Sequence, residues 1–350
     1  MSWMIYGANG FTGKLTAELA VARGERPVLA GRNEARVRAV AEPLGLETRV
    51  FSLDESSEVR AGLDGIEAVL HQAGPFSRTS RPMVEACLEV GVHYLDITGE
   101  ISVFRGVLKQ NEKAVSRGVV LMPGVGFDVV PTDCIAAMLK QKMPDATHLE
   151  LAIHGTGGVS PGTTKTAIEG LPHGSAIRRD GKMTPIGSAD LSRFVPFHRR
   201  TRHAVAIPWG DLETAWHSTA IPNITTYMAL PPSTMKWLRR LDRSRWITRQ
   251  RAFQGIARMV VDWRIKGPDA EMRESARCEV WGEVTNAQGR RMSMWLEGPE
   301  GYSLTADASL RATLAVMRGA VDPGAKTPSM ALGPDFVTHV DGVEIGSDDE

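Results

Sequence analysis

MIYGANGFTG, residues 4–13, places three glycines directly after a short apolar run and directly before a segment with helical periodicity. At such a junction we expect Gly7 to permit a tight turn, Gly10 to let the backbone approach a ligand, and Gly13 to let the helix pack closely on the sheet. The backbone N–H groups at the helix start would then face negative phosphate oxygens, aided by the helix dipole. The stretch therefore predicts a pyrophosphate-binding turn of the dinucleotide type, with an ordinary strand-to-helix turn as the alternative.

The spacing of the glycines and the end of the second predicted strand indicate which dinucleotide the turn would hold. Two residues, rather than one, separate Gly7 from Gly10, a variant of the G-x-G-x-x-G motif that is common where the cofactor carries a 2′-phosphate. Sites for NAD usually have an acidic residue about 20 positions past the glycines, but here the chain reads Gly31-Arg32-Asn33. A guanidinium favours the 2′-phosphate, which a carboxylate would repel. The sequence predicts NADP, with a solvated surface role for Arg32 as the alternative.

Further residues complete this part of the predicted cofactor site. Asp54 follows the third predicted strand, where it could face the adenine or remain an ordinary surface aspartate. The residues that we predict to contact the adenosine and pyrophosphate part of NADP are Gly7, Asn9, Gly10, Phe11, Thr12, Gly13, Gly31, Arg32, Asn33 and Asp54.

Strand and helix patterns alternate through the first third of the chain. Short apolar runs are typical of buried strands, and segments with apolar residues at helical spacing separate them. The predicted strands are 3–6, 27–30, 48–53, 68–71, 93–97 and 119–122, and the predicted helices are 14–23, 34–42, 81–90 and 102–117. This alternation predicts an α/β fold with a Rossmann-type doubly wound parallel sheet, whose ligands bind at the carboxyl ends of the strands.

The pattern changes after residue 147. Residues 148–153, 278–284 and 292–296 alternate between apolar and polar side chains, as strands with one polar face do. We therefore expect a second, α+β domain built on an antiparallel sheet. The crevice between two such domains is the usual place for a substrate.

Composition argues against several classes of function. With 41 basic and 41 acidic residues the net charge is zero, so the overall charge does not indicate nucleic-acid binding. The three cysteines lie far apart without a C-x-x-C pair, and the nine histidines do not cluster, so we expect neither a disulfide framework nor a metal site. An N-terminal segment without the basic region of a secretory signal further favours a cytoplasmic location.

Five motifs taken together resemble the saccharopine dehydrogenase-like oxidoreductases. They occur in order over residues 6–133 and read YGANGFTGK, LAGRN, HQAGPFSR, GVHYLDITGE and PGVGFDVVPTD. Within that family the chain is most similar to the bacterial branch that includes the trans-acting enoyl reductases. TPSMALGPDFV, residues 327–337, resembles the same branch.

The resemblance implies a domain organisation and the other half of the cofactor site. It implies a dinucleotide-binding domain over 1–130, a substrate domain over 131–302, and a C-terminal helix and strand over 303–350 that return to the first domain. It also implies that the nicotinamide half of the cofactor lies along Ala73, Gly74, Pro75 and Phe76. A small Ala-Gly turn at a strand end would let a flat ring approach, and the proline would stiffen the loop.

The motifs and the resemblance together predict an NADP-dependent oxidoreductase, in which hydride passes to a C=C or C=N bond while an acid donates a proton. The candidate acids are Asp128, Asp96, Glu100 and Tyr302, and for each a capping or strand-end role is the alternative. The Tyr-x-x-x-Lys pair of short-chain reductases is absent around Tyr94. A non-catalytic NADP-binding sensor or scaffold is the alternative from another class, although it would not need so long a second domain.

Two substrate classes stay open at this point. A saccharopine or other amino-acid-type imine carries several carboxylates, which Arg178, Arg179 and the arginines of 199–202 could hold. An enoyl or lipid-like substrate needs an apolar channel, with which the tryptophan- and methionine-rich second domain is compatible. We favour the enoyl or lipid-like substrate. A homo-oligomer is compatible with the sequence.

Two more segments have patterns that bear on function. Residues 157–166, GGVSPGTTKT, lack lysine where a phosphate-binding loop requires it, although Lys165 or His173 could line a substrate pocket. Residues 235–251 contain seven basic residues, one acidic residue and two tryptophans. Such a stretch can meet an anionic membrane surface or the acidic face of an acyl carrier protein. A solvated helix that covers the substrate domain is the alternative.

Overall fold

The computed structural model describes residues 2–156, 174–243, 245–248 and 269–348, together with single positions between these ranges. Lys165 and His173 lie outside the described residues. The chain forms two compact units, one from Met1–Val130 and Tyr302–Asp341 and the other from Pro131–Gly301 and Gly342–Glu350.

A seven-stranded parallel sheet forms the first unit. Its first six strands are β1 (Trp3–Tyr6), β2 (Val28–Gly31), β3 (Thr48–Val50), β4 (Ala68–His71), β5 (His93–Asp96) and β6 (Val120–Met122). They lie in the order β6-β5-β4-β1-β2-β3, with a short seventh strand beside β6. This order runs outward in both directions from β1 and β4, as in a doubly wound sheet. The predicted Rossmann-type α/β fold is confirmed.

Helices connect these strands and cover the sheet. They are α1 (Phe11–Ala22), α2 (Glu34–Leu44), α3 (Ser56–Gly62), α4 (Phe76–Val90), α5 (Ile101–Leu108) and α6 (Asn111–Arg117). β1, β2 and β4 are buried at every position, as central strands of a parallel sheet are when helices cover both faces. The apolar runs from which we predicted strands are therefore the core of the unit.

A nine-stranded mixed sheet forms the second unit. Its first eight strands are β7 (Ala146–Gly155), β8 (Ser175–Arg179), β9 (Lys182–Ile186), β10 (Ser192–Pro196), β11 (Thr201–Ala206), β12 (Asn223–Ala229), β13 (Arg277–Asn286) and β14 (Arg291–Pro299). β7 pairs in parallel with β12, and the other described pairs of this sheet are antiparallel. The predicted α+β domain with an antiparallel sheet is confirmed, with this parallel pair as an addition.

The described helices of the second unit are α7 (Val130–Lys142), α8 (Asp211–Thr219), α9 (Pro232–Arg243), α10 (Arg245–Thr248) and α11 (Ala270–Ser275). In the described parts of the chain, no helix has both the length and the apolar character that a bilayer span requires.

The C-terminal segment divides between the two units. α12 (Gly301–Met317) is followed by β15 (Gly324–Ala325), which pairs in parallel with β6, by α13 (Pro328–Leu332), and by a short 3-10 helix, Phe336–His339. The last strand, β16 (Glu344–Asp348), instead pairs antiparallel with β14 and covers its outer edge. The expectation that residues 303–350 return as a whole to the first domain therefore does not extend to β16. The domain boundaries themselves stay a prediction.

Gly282 in β13 offers a test of packing beneath the second sheet. A Cβ atom there would lie 2.5 Å from Ile135 Cγ2 and 3.0 Å from Leu139 Cδ1, both on α7. We expect Gly282→Ala to lower the free energy of unfolding by about 1–3 kcal/mol, because these side chains must move to admit the methyl group. Gly155→Ala in β7 is the control, since a Cβ there meets no described atom within 4 Å. Urea unfolding measures both variants, and equal stability would contradict the packing.

Candidate cofactor and active site

Gly7 and Gly13, after β1, are packed too closely to carry side chains. Gly7 has a φ of +93°, and a Cβ there would lie 2.7 Å from the Ala73 backbone nitrogen. A Cβ on Gly13 would lie 2.8 Å from Ala8 Cα and would also collide with the Gly7 carbonyl oxygen. Gly10 is the N-cap of α1, so backbone rather than side chains forms the surface at the helix start. The expected roles of Gly7 and Gly13 agree with this geometry.

Three other residues of the turn have distinct surroundings. Asn9 is exposed, and its Oδ1 lies 3.1 Å from the position that a Cβ on Gly31 would take, so its side chain lies next to the end of β2. Phe11 packs edge-on against Tyr302, with 4.8 Å between the ring centres. Thr12 accepts a hydrogen bond at its carbonyl from the Thr16 hydroxyl at 3.0 Å.

The end of β2 presents a free cation. Arg32 is exposed, and it makes no ion pair or hydrogen bond with the residues that the structure describes. Asn33 is the N-cap of α2 and accepts the Arg36 N–H at 3.0 Å. A capping side chain is therefore found where an NAD site would have a carboxylate, and the guanidinium next to it is available to an anion.

Arg32 and Asp54 both lie near Tyr6, at the end of β1, because the charge of each acts on the Tyr6 hydroxyl. Burial raises the pKa of Tyr6 to about 12, while the charge of Arg32 lowers it and that of Asp54 raises it. The Ser52 hydroxyl donates to Asp54 Oδ2 at 2.6 Å, which holds this carboxylate at the end of β3. The adenine-side residues that were predicted separately therefore lie around the ends of β1, β2 and β3.

The loop after β4 is fixed by its own hydrogen bonds. The Thr79 hydroxyl lies 2.7 Å from the Ala73 carbonyl oxygen and 3.1 Å from that of Pro75. The Gly74–Pro75 peptide bond is cis, and Pro75 is the N-cap of α4. α4 begins at Phe76, earlier than the predicted residue 81, because a carboxylate from another loop caps it.

That carboxylate belongs to Glu100. Its Oε1 accepts the Phe76 N–H at 2.8 Å, and its Oε2 accepts the Ser77 N–H at 3.0 Å. An anion is favoured at a helix N-terminus, where backbone N–H groups lack partners within the helix. This geometry favours the capping alternative for Glu100 over the proton-donor role.

Asp96 lies buried at the end of β5 and forms a hydrogen bond with the loop after β6. The Tyr94 hydroxyl donates to Oδ2 at 2.6 Å, and the backbone N–H groups of Thr98 and Gly124 donate to Oδ1 at 3.0 and 2.9 Å. Burial raises the pKa of Asp96 to about 6, against the opposing effect of these hydrogen bonds. The side chain is fully buried, which favours its strand-end alternative.

Asp128 differs from the other two carboxyl groups. It is half-buried, and its carboxylate makes no hydrogen bond among the residues that the structure describes. Burial raises the pKa of Asp128 to about 6. Its Oδ2 would lie only 2.6 Å from a Cβ on Gly99, so the absence of a side chain at position 99 makes room for it.

Two residues around these loops have roles that the sequence analysis missed. Thr305 accepts the Phe127 N–H at 3.0 Å, so α12 holds the loop that carries Asp128. His71, at the end of β4, is fully buried, with its ring centre 5.4 Å from those of both Tyr6 and Phe76. Burial lowers its pKa to about 3, and no described residue pairs with its ring nitrogens. The signal for His71 was a histidine that directly precedes the Gln-Ala-Gly-Pro-Phe motif.

The first unit fits a dinucleotide with a 2′-phosphate. The turn of Gly7, Gly10 and Gly13 presents backbone at the start of α1, where a pyrophosphate would approach it, and the Arg32 guanidinium, unpaired among the described residues, lies at the end of the neighbouring strand. Among the described residues, no group of three or more His, Cys, Asp and Glu side chains could hold a metal ion.

Residues 3–122 match the family model of the saccharopine dehydrogenase NADP binding domain. Over these residues the chain is similar to the saccharopine dehydrogenase family in its NADP-binding part. The resemblance predicted from the motifs is confirmed, and so is NADP as the cofactor class.

The trans-acting enoyl reductase of Mycobacterium leprae is 37% identical to the chain over 138 residues, which cover 37% of this chain and 33% of that relative. The chain spans less than half the length of the curated relatives that it matches.

Two solved structures share the fold of the whole chain. Apo saccharopine dehydrogenase (L-Glu forming) from Saccharomyces cerevisiae has a TM-score of 0.68 at 11% identity, covering 99% of both chains. A homospermidine synthase from Legionella pneumophila, solved in complex with NAD, has a TM-score of 0.67 at 9% identity and covers 100% of this chain and 92% of its own. At these identities the likeness shows the fold alone.

Arg32 provides a direct test of the cofactor assignment. We expect Arg32→Ala to raise the Kd of NADPH by about 10- to 100-fold and to leave that of NADH nearly unchanged, because the lost hydrogen bonds reach the 2′-phosphate. Calorimetric titration with both nucleotides measures this, and Arg36→Ala on α2 is the control. Equal losses for the two nucleotides would mean that Arg32 does not contact the phosphate.

Substitutions of Asp96 test whether its carboxylate has a structural or a catalytic role. We expect Asp96→Ala to lower the free energy of unfolding by about 3 kcal/mol or more, because three buried donors lose their acceptor. Asp96→Asn should keep much of that stability, and Asp322→Ala at an exposed position is the control. An Asp96→Ala protein as stable as the control but without activity would contradict the structural role. Urea unfolding and an activity assay on the same samples provide the comparison.

Proposed function

We propose that the protein is an NADP-dependent oxidoreductase that reduces an enoyl or lipid-like acyl substrate. The observation that carries the proposal is the free Arg32 guanidinium beside the glycine turn, in a domain of the saccharopine dehydrogenase NADP-binding type. When bound, NADPH supplies the hydride for such a reduction. The trans-acting enoyl reductase name of the curated relatives supports the choice of substrate class.

Two groups of residues would bind the cofactor. The turn of Gly7, Asn9, Gly10, Phe11, Thr12 and Gly13 would hold the pyrophosphate, and Gly31, Arg32, Asn33 and Asp54 the adenosine end. The loop of Ala73, Gly74, Pro75 and Phe76 would support the nicotinamide. Its hydrogen bonds to Thr79 and to Glu100 keep this loop in one conformation before any ligand arrives, which reduces the entropy lost on binding.

Asp128 is the proton donor that we propose among the four candidate acids. Asp96 has its oxygens occupied by three donors, Glu100 accepts two backbone N–H groups, and the ring of Tyr302 packs against Phe11. The carboxyl of Asp128 is half-buried and lacks such partners in the described chain, and burial favours its protonated form. It can therefore hold a proton at a carboxyl oxygen and release it to a substrate.

The arginines of the second unit bear on the substrate class. Arg178 is buried and donates to Glu213 Oε2 at 2.8 Å as well as to two backbone carbonyl groups. Arg199 pairs with Glu297, with 2.7 Å from its Nε to Oε2, and Arg202 pairs with Glu279 at 3.3 Å.

Three of the arginines that a substrate with several carboxylates would require are therefore neutralised by carboxylates of the protein itself. A substrate carboxylate that displaced one of these glutamates would leave the glutamate unpaired, and an unpaired buried charge costs free energy. This pairing favours the enoyl or lipid-like substrate over the saccharopine-type imine.

The tryptophans contribute less to this choice than the sequence suggested. Trp281 is fully buried core, Trp216 lies under the Arg178 guanidinium at 5.0 Å, and Trp295 stacks on His198 at 3.6 Å between ring centres. These three rings already have partners within the unit and do not indicate an apolar channel. The substrate proposal rests on the paired arginines and on the relatives.

A substrate screen separates the candidate functions. Oxidation of NADPH, followed by its absorbance, is measured with enoyl thioesters and, in parallel, with keto acids plus amino acids. We expect turnover with the enoyl thioesters. Turnover only with the keto acid and amine pairs would establish the imine reductase alternative. Tight NADPH binding without turnover on either panel would favour the non-catalytic sensor or scaffold.

Asp128→Asn tests the proton donor. We expect the variant to lower kcat by about 10²–10⁴-fold and to leave the Kd of NADPH unchanged, because the amide cannot donate an acidic proton. In the wild type, kcat should fall by about tenfold per pH unit above about 6, since the donor must be protonated. Asp322→Asn is the control. A variant that keeps the same pH dependence would assign the proton to another group.

A further inference from the structure

A surface patch on α9 has no part in the proposed reaction. It consists of Lys236, Trp237 and Arg240, and we call it the α9 patch. The helix is anchored on its opposite side by Met235, which is 4% exposed and belongs to a small core with Ala189 and Val205.

The α9 patch points away from that core. Successive residues of an α-helix turn by about 100°, so Trp237 lies about 200° around the helix from Met235, with Lys236 and Arg240 at about 100° and 140°. All three patch residues are exposed, and 53% of the surface of Trp237 is accessible. Trp246 on the next helix, α10, is 67% exposed. These exposed indoles each offer an apolar ring and a polar N–H at the surface.

The cations of the α9 patch have no partners within the described protein. Neither Lys236 nor Arg240 forms an ion pair or a hydrogen bond with a described residue. Arg239, by contrast, lies nearer the core side and donates to the Ala189 carbonyl at 3.1 Å. The two patch cations can therefore meet an external anion without breaking an existing contact.

We propose that the α9 patch docks the protein on an anionic lipid bilayer. An indole at the level of the headgroups has its apolar body in the acyl boundary and its N–H in a polar layer, and neighbouring Lys and Arg side chains are attracted to anionic lipid. The surrounding 235–251 stretch has seven basic residues and one acidic residue. A bilayer requires only an excess of one sign of charge and an exposed apolar side chain, and the α9 patch supplies both.

Vesicle flotation tests the proposal. Wild-type protein is mixed with vesicles of phosphatidylcholine alone and with vesicles that also contain phosphatidylglycerol, at low and high salt. We expect binding only to the anionic vesicles and a loss of binding at high salt. The double variant Lys236→Glu/Arg240→Glu should lower the partition coefficient by about thirtyfold or more, since each cation near the surface contributes. Trp237→Ala should also weaken binding to the anionic vesicles at low salt, because the indole no longer enters the headgroup layer.

A charge-matched control separates a local site from overall charge. Lys109→Glu/Lys113→Glu changes the net charge equally at exposed positions of the first unit and should bind anionic vesicles as the wild type does. Urea unfolding of every variant verifies that it is folded, and NADPH titration on the same samples tests the proposed function separately.

Three results would overturn the proposal. In the first, the wild-type protein does not float with the anionic vesicles. In the second, the two double variants lose vesicle binding equally. In the third, substitutions of Lys236, Arg240 and Trp237 leave vesicle binding unchanged. Binding of an acidic acyl carrier protein that the Lys236→Glu/Arg240→Glu variant loses, without vesicle binding by the wild type, would assign the α9 patch to a protein partner instead.

Discussion

The close approach of Gly7 to the backbone of Gln72 and Ala73 is the constraint on which the first unit depends. β1 and β4 are neighbours in the sheet, so this contact joins the two loops that leave its centre. Gly13 then brings α1 down onto the Gly7 carbonyl, which aims the helix start at the same edge. A side chain at Gly7 would separate the turn from the loop after β4, and one at Gly13 would push α1 away from the turn. The proposed cofactor site thus follows from two positions at which a Cβ atom has no room.

Three carboxyl groups near this edge have different chemistry because their hydrogen bonds differ. Asp96 accepts from a tyrosine and two amides, and Glu100 caps a helix from a neighbouring loop. Both carboxyl groups connect loops by accepting backbone hydrogen bonds. Asp128 is desolvated without that compensation, so burial alone acts on it and favours the proton. Two of the three carboxyl groups therefore connect loops, and the carboxyl of Asp128 is the one that we propose as the proton donor.

The parts that sequence predicted well are those that local rules determine. The parallel sheet follows from the alternation of strand and helix patterns, and the glycine turn follows from the spacing of three glycines next to a helix. The sequence failed where the deciding partner is distant along the chain. Glu100 starts α4 at Phe76 from 24 residues away, and Thr305 holds Phe127 across 178 residues. Nothing in either local stretch indicates such a contact, and the same holds for the pairing of β16 with β14.

The ion pairs of the second unit change what its arginines indicate about the substrate. Counted in the sequence, the arginines at 178, 199 and 202 resemble a clamp for a substrate with several carboxylates. In the fold each has its own glutamate, at 213, 297 and 279, and the pair at 178 and 213 is buried. A buried arginine that already has a carboxylate and two carbonyl partners gains little from a second anion and loses much if the first is displaced. An uncharged, acyl-type substrate avoids this cost, because it requires none of these arginines to change partner.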